Sequence, residues 1–137
     1  IQVTLHEPDP GSYIRSVYTN REFDITVSGV STMFDPTVGL QRIYYSKSFD
    51  PAIPFSNANH YHNPEVDRLL EAAAVEADDT KRAEQFKAFQ EIVVREIPTI
   101  ALAQAHGVTV YNRRLSGFET TAAGTRGNLA LLEARNA

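Results

Sequence analysis

His60 and His62 stand one residue apart in NANHYHNPEVDRLL, residues 57 to 70, and imidazole nitrogen is the commonest protein ligand for transition metals. Along an extended backbone alternate side chains share a face, so both rings could leave on the same side. A metal site needs ligands that converge, and two imidazoles alone make a weak one. The same residues also read as a helix entrance. Asn63 is the cap, Pro64 the first helical position and Glu65 the complement to the helix dipole, with His60, Tyr61 and His62 as the incoming loop. The entrance reading is the stronger, so no metal ligand is assigned. Carboxylate pairs occur at Asp78 with Asp79 and at Asp67 with Glu71, placed on helix surfaces or turns where solvated charge is the expectation. A hydrolase would use His60 or His62 with a nearby carboxylate as acid and base. No G-x-S-x-G elbow is present, and the seven glycines are too dispersed for a phosphate loop. The sequence therefore assigns no catalytic residue, no enzyme activity and no cofactor.

Composition narrows the partners. The 137 residues are enough to bury about two-thirds of the unfolded surface around one core. A net charge of −4, with 13 scattered Lys and Arg, gives no basic cluster for a phosphate backbone, so no nucleic acid is expected. The absence of cysteine removes disulfides and thiolate zinc sites and is compatible with either redox compartment. No run approaches the roughly 18 apolar residues of a membrane span. A chain opening on Ile1 rather than Met is expected to be a fragment or a processed product.

The elements that would carry these residues follow from periodicity. Ile1, Val3 and Leu5 alternate with Gln2, Thr4 and His6, predicting a strand that ends at Glu7. Asp9 and Pro10 read as cap and first turn of a helix whose face is Tyr13, Ile14, Val17 and Tyr18, stopping near Asn20. FDITVSG, from Phe23 to Gly29, predicts a second strand. VSTMFDP then crosses to a short helix around Val38 to Tyr45, and residues 46 to 63 form a long irregular loop. Two amphipathic helices follow, hinged at Asp78, Asp79 and Thr80. The first carries Val66, Leu69, Leu70, Ala73, Ala74 and Ala77, the second Ala83, Phe86, Phe89, Val93 and Ile97, with Glu91 and Arg95 on the wet side. Pro98 stops the second. TIALAQA and GVTVY predict two short strands, and LALL in the tail a further one.

Taken in order, FDITVSG, the loop closing on Asp35 and Pro36, YHNPEVDRLLEA at 61 to 72, DTKRAEQF at 79 to 86 and the helix end EIPTIAL resemble the C-terminal part of the family 5 extracellular solute-binding proteins. These are the binding components of dipeptide, oligopeptide and nickel ABC transporters. The resemblance covers about residues 1 to 118, and its helical hairpin is the specific part. It implies an α/β fold, a periplasmic-binding-protein type II-like lobe with a mixed sheet flanked by helices. All of 1–137 would be part of the C-terminal lobe of a two-lobed protein, without an internal domain boundary. It also implies a function: a solute is trapped between two lobes that close on a hinge, and the closed form is delivered to ABC permease subunits in the membrane. The full-length protein is expected to be monomeric and periplasmic, with its signal peptide on the missing N-terminal part.

In that frame the loop at 30 to 36 faces the cleft, and Val30, Ser31, Thr32 and Met33 are the expected ligand-binding residues. Peptide-binding members carry an aspartate four residues before the DP or EP proline, where it holds the peptide ammonium. Here that residue is Thr32. A charge-assisted bond is worth about 1.5–3 kcal/mol, so free peptides are expected to bind poorly unless another acid substitutes. Asp35 is the nearest, and its expected place is a cap before Pro36. The solute is peptide-like or another small molecule. The alternatives are a metal- or metal-chelate-binding protein of the nickel type and the hydrolase domain above.

Overall fold

The computed structural model describes residues 2–31, 35–39, 41–51, 53–104, 108–118 and 129–134. Residues 1 to 99 make one compact unit and residues 100 to 137 another.

The first unit opens with an extended segment and then α1, Pro10–Ile14, which begins where Asp9 accepts from the Gly11 and Ser12 N–H groups at 3.0 and 3.1 Å. Two of the orphan donors at the helix start are satisfied this way. The helix widens into a π-helical turn over Arg15–Asn20 that buries Val17 and Tyr18, and Arg21 ends it in the left-handed region at φ 58°. This agrees with the predicted face and stop.

The predicted strands differ. Residues 2–9 and 22–31 carry the alternation but pair with no strand among the described residues, and Val3, Leu5, Ile25 and Val27 are all exposed. A strand is completed by its neighbour's hydrogen bonds, and alternation alone supplies none. The short helix is also briefer than predicted. Residues 36–39 turn, and α2 spans only Gln41–Tyr44.

The helical hairpin is the core. α3, Pro64–Val75, starts at Asn63, whose side chain accepts from the Glu65 and Val66 N–H groups at 2.9 and 3.3 Å. α4, Asp79–Glu96, starts at Asp78, which accepts from Thr80 and Lys81 at 2.9 and 3.0 Å. It ends at Ile97, left-handed at φ 51°, whose N–H closes on Val93 before Pro98. Val66, Leu69, Leu70 and Phe89 are buried together, with Tyr44, Tyr45, Tyr61, Phe86, Ile92 and Val93 packed around them. Full burial of such side chains contributes about 1.5–3 kcal/mol each. α3 stops two residues short of Ala77, and Ala74 and Ala77 are exposed, because Glu76 is already extended to bring Asp78 to the start of α4. Ala83 and Ile97 are exposed as well. Among the described residues no helix is long and apolar enough to cross a membrane.

In the second unit, TIALAQA and GVTVY are not strands where they are described, and Ile100, Leu102, Val108 and Val110 are exposed. Leu115–Ser116, β1, pairs antiparallel with Glu133–Ala134, β2. LALL makes a 3-10 turn over Leu129–Leu131 rather than a strand. Gly117 follows β1 at φ 82°, where a Cβ would meet the Leu131 carbonyl oxygen at 1.9 Å. Only glycine fits both the angle and the gap.

Candidate functional site

Of the expected ligand-binding residues, Val30 and Ser31 are exposed and lie outside any helix or strand, and Thr32 and Met33 fall outside the described residues. The chain is described again at Asp35, which is held from two directions. Its Oδ1 accepts from the Thr37 N–H at 2.8 Å and from the Thr37 hydroxyl at 2.6 Å, so it fastens the turn before α2 much as a cap would. Arg82, in the first turns of α4, reaches both carboxylate oxygens at 2.6 and 2.8 Å. The same guanidinium donates through Nε to the Ala73 carbonyl at 3.0 Å, serving the last turn of α3, where the helix dipole favours a cation. Arg82, then Thr37, hold the Asp35 carboxyl well below the usual carboxylate range. A forked guanidinium on both oxygens is the geometry of strong carboxylate pairing. Asp35 is therefore an anchor between the end of the 30–36 loop and the hairpin, with its charge already matched.

The histidines are both exposed, but they are not equivalent. His60 sits in the left-handed region at φ 59°. Its Nε2 accepts from Arg21 Nη1 at 2.6 Å, and its ring stands edge-on to Phe49 with centroids 3.8 Å apart. Arginine has only protons to offer, so Nε2 contributes its lone pair and the ring proton sits on Nδ1. Partial desolvation of the ring and, after it, the Arg21 charge lower the imidazole pKa. The neighbour of His60 is thus a cation, where a hydrolytic base would need an orienting carboxylate. Among the described residues no group of three or more His, Cys, Asp and Glu side chains is placed to hold a metal ion.

One expectation is corrected outright. Asp67 is not a solvated surface carboxylate: it is buried and accepts from the Ser46 N–H at 2.9 Å and from the Ser46 hydroxyl. Its position, three residues before Leu70, puts it on the apolar stripe of α3, and that spacing was the signal that could have found it. Glu71, one turn on, takes Lys47 at 2.6 Å and the Tyr45 hydroxyl at 2.7 Å. Together they dock the start of the long loop on the helix.

The centre of that loop hangs on Asn57, fully buried. Its Nδ2 donates to the Tyr61 carbonyl at 2.7 Å and the Tyr45 carbonyl at 3.3 Å, while its Oδ1 accepts from the Tyr61 N–H at 3.0 Å. The far end is fixed by Glu96, which accepts from the Tyr61 hydroxyl at 2.6 Å and from Asn63 Nδ2 at 2.8 Å. Burial, with Glu96 second, pushes the Tyr61 pKa up, so the phenol stays a donor. The sequence links none of these residues over long range: it marks Asn63 as a cap, Tyr61 as part of the incoming loop and Tyr45 as a helix end. These hydrogen bonds position a long loop and the base of a shorter one on the helical hairpin, the usual setting for recognition residues.

No protein-family model matches the chain, and no solved structure does. Over 98 residues, 71% of this chain, it is 30% identical to the "probable D,D-dipeptide-binding periplasmic protein DdpA" of Escherichia coli strain K12, covering 18% of that protein. Over 70 residues, 51% of this chain, it is 30% identical to the "peptide transport periplasmic protein SapA" of Haemophilus influenzae, covering 12% of it. The chain thus spans less than a fifth of the length of either relative, and its similarity is to periplasmic proteins named for peptide binding and peptide transport.

Proposed function

We propose that this chain is part of the C-terminal lobe of a family 5 solute-binding protein, the component of an ABC importer that captures a peptide-like solute between two lobes and delivers it to a membrane permease. The full protein would be periplasmic, monomeric and without enzymatic activity. The observation that carries the reading is the similarity over 98 residues to a periplasmic protein named for D,D-dipeptide binding. The lobe would be of the periplasmic-binding-protein type II kind, a mixed sheet flanked by helices. In it, Val3, Leu5, Ile25 and Val27 occupy sheet positions whose partner strands belong to the rest of the protein. The solute would meet the loop at Val30, Ser31, Thr32 and Met33.

The preferred solute is a peptide whose amino terminus is not read by this loop. Thr32 offers no charge, and both oxygens of Asp35 are engaged by Arg82. The test is thermal-shift titration of the full-length protein with a D,D-dipeptide, an L,L-dipeptide and their N-acetylated forms. Equal stabilisation by a free peptide and its acetylated form is expected. Binding to the free form that acetylation abolishes would show an ammonium site and overturn the preference, and turnover of any peptide lost in His60→Ala would overturn the binding-protein reading itself.

A further inference from the structure

Two residues other than glycine in the left-handed region, Arg21 at φ 58° and His60 at φ 59°, are bonded directly to each other although 39 positions apart. Such backbone costs energy unless its surroundings hold it, and it gathers at devices that switch. Arg21 carries a second cost, since its Nε is buried with no hydrogen-bond partner. What offsets these costs is one cluster. Arg21 Nη2 donates to the Phe49 carbonyl at 2.6 Å, its guanidinium lies 3.6 Å over the Phe49 ring, and Nη1 donates to His60 Nε2 at 2.6 Å. We infer that Arg21, Phe49 and His60 form an acid-released latch that fastens Phe49 and His60 to the end of the first helix.

The switch is the lone pair on Nε2. Arginine keeps its proton throughout the physiological range, so the bond exists only while the imidazole is neutral. A second ring proton places N–H against N–H and cation against cation. Partial desolvation and Arg21 act on the ring in the same sense, lowering its pKa. The acidic side chains on the neighbouring stretches are Glu22, which accepts from Asn20, Glu96, which accepts from Tyr61 and Asn63, and Asp50 beside Phe49; His62 lies two residues on. Among the described residues no carboxylate hydrogen-bonds the imidazole. A group with a depressed folded pKa contributes stability above its unfolded value, about 6.5 for histidine, and loses it as pH falls below that. If the closed latch excludes the proton, opening rises by up to about tenfold between pH 7.5 and 5.5.

The test is hydrogen exchange of the full-length protein at those two pH values, corrected for intrinsic rates. Protection of peptides around residues 49 to 60 is expected to fall by up to about tenfold while the hairpin at 64 to 96 keeps its own. His60→Asn tolerates the left-handed backbone and does not titrate in this range, so it should abolish the difference. Arg21→Gln should lower protection at both pH values and leave them equal. Equal wild-type protection at the two pH values, an equal loss in the hairpin, or a difference that survives His60→Asn would each overturn the latch.

Discussion

Replacing Asn57 with alanine removes three side-chain hydrogen bonds in one step, two donated by Nδ2 and one accepted by Oδ1. Each bond is worth about 0.5–1.5 kcal/mol net, and the 3.3 Å bond to Tyr45 belongs at the low end. The local loss is then about 1.5–3.5 kcal/mol, because the Tyr61 N–H and carbonyl lose their partner at a site with no solvent access to the side chain that served them. At about 1.4 kcal/mol per decade this is roughly 10- to 300-fold faster exchange of the Tyr61 amide. Native-state hydrogen exchange of the full-length protein reads it directly. Asn57→Asp sharpens the test. The carboxylate can still accept from Tyr61, but it faces the Tyr45 and Tyr61 carbonyls with an acceptor in place of a donor, so it should cost at least as much as alanine. Protection at Tyr61 within threefold of wild type in either variant would refute the view that this amide holds the loop.

Three further outcomes follow from single contacts. Asn63→Ala should cost about 1 kcal/mol of hairpin stability in denaturant unfolding, and Asn63→Asp should recover only part of it, since the new carboxylate caps α3 but faces Glu96 where Nδ2 now donates. Asp35 owes its depressed pKa to Arg82 and Thr37, so its contribution is present above pH about 4 and is lost as pH falls below that; the acid-side drop in denaturation midpoint should be smaller in Asp35→Asn. Gly117→Ala adds a Cβ 1.9 Å from the Leu131 carbonyl oxygen at φ 82°. It should cost at least about 1 kcal/mol and remove the amide protection of the β1–β2 pair, as followed by NMR.

Local chemistry was readable wherever a residue acts on its own segment. Asp9, Asn63 and Asp78 all serve N–H groups two or three positions ahead. The stripe of Val66, Leu69, Leu70 and Ala73 needed only the helical period to be found, and all four are buried. Asp9 and Asn63 are caps by sequence pattern alone, while the pattern marks Asp78 as part of a hinge, which its place between the helices makes equally true. The resemblance, whose specific part is this hairpin, pointed to periplasmic solute-binding proteins, and the two relatives are named for periplasmic D,D-dipeptide binding and periplasmic peptide transport.

What needed the folded chain are the bonds that join residues far apart in sequence. Arg82 to Asp35 spans 47 positions, Arg21 to His60 spans 39, and Ser46 to Asp67 spans 21. No period or cap rule connects such pairs, because a side chain's partner is decided by which backbone segments pack together. Asp67 shows the difference most clearly. A carboxylate on a helix is solvated by default, and it became a buried acceptor only because the chain after Tyr45 brings the Ser46 N–H and hydroxyl to it. The alternating residues at 3 to 5 and 25 to 27 show the reverse case. Alternation is a property of the strand's own sequence, but pairing belongs to a neighbour, and with none among the described residues these side chains are exposed.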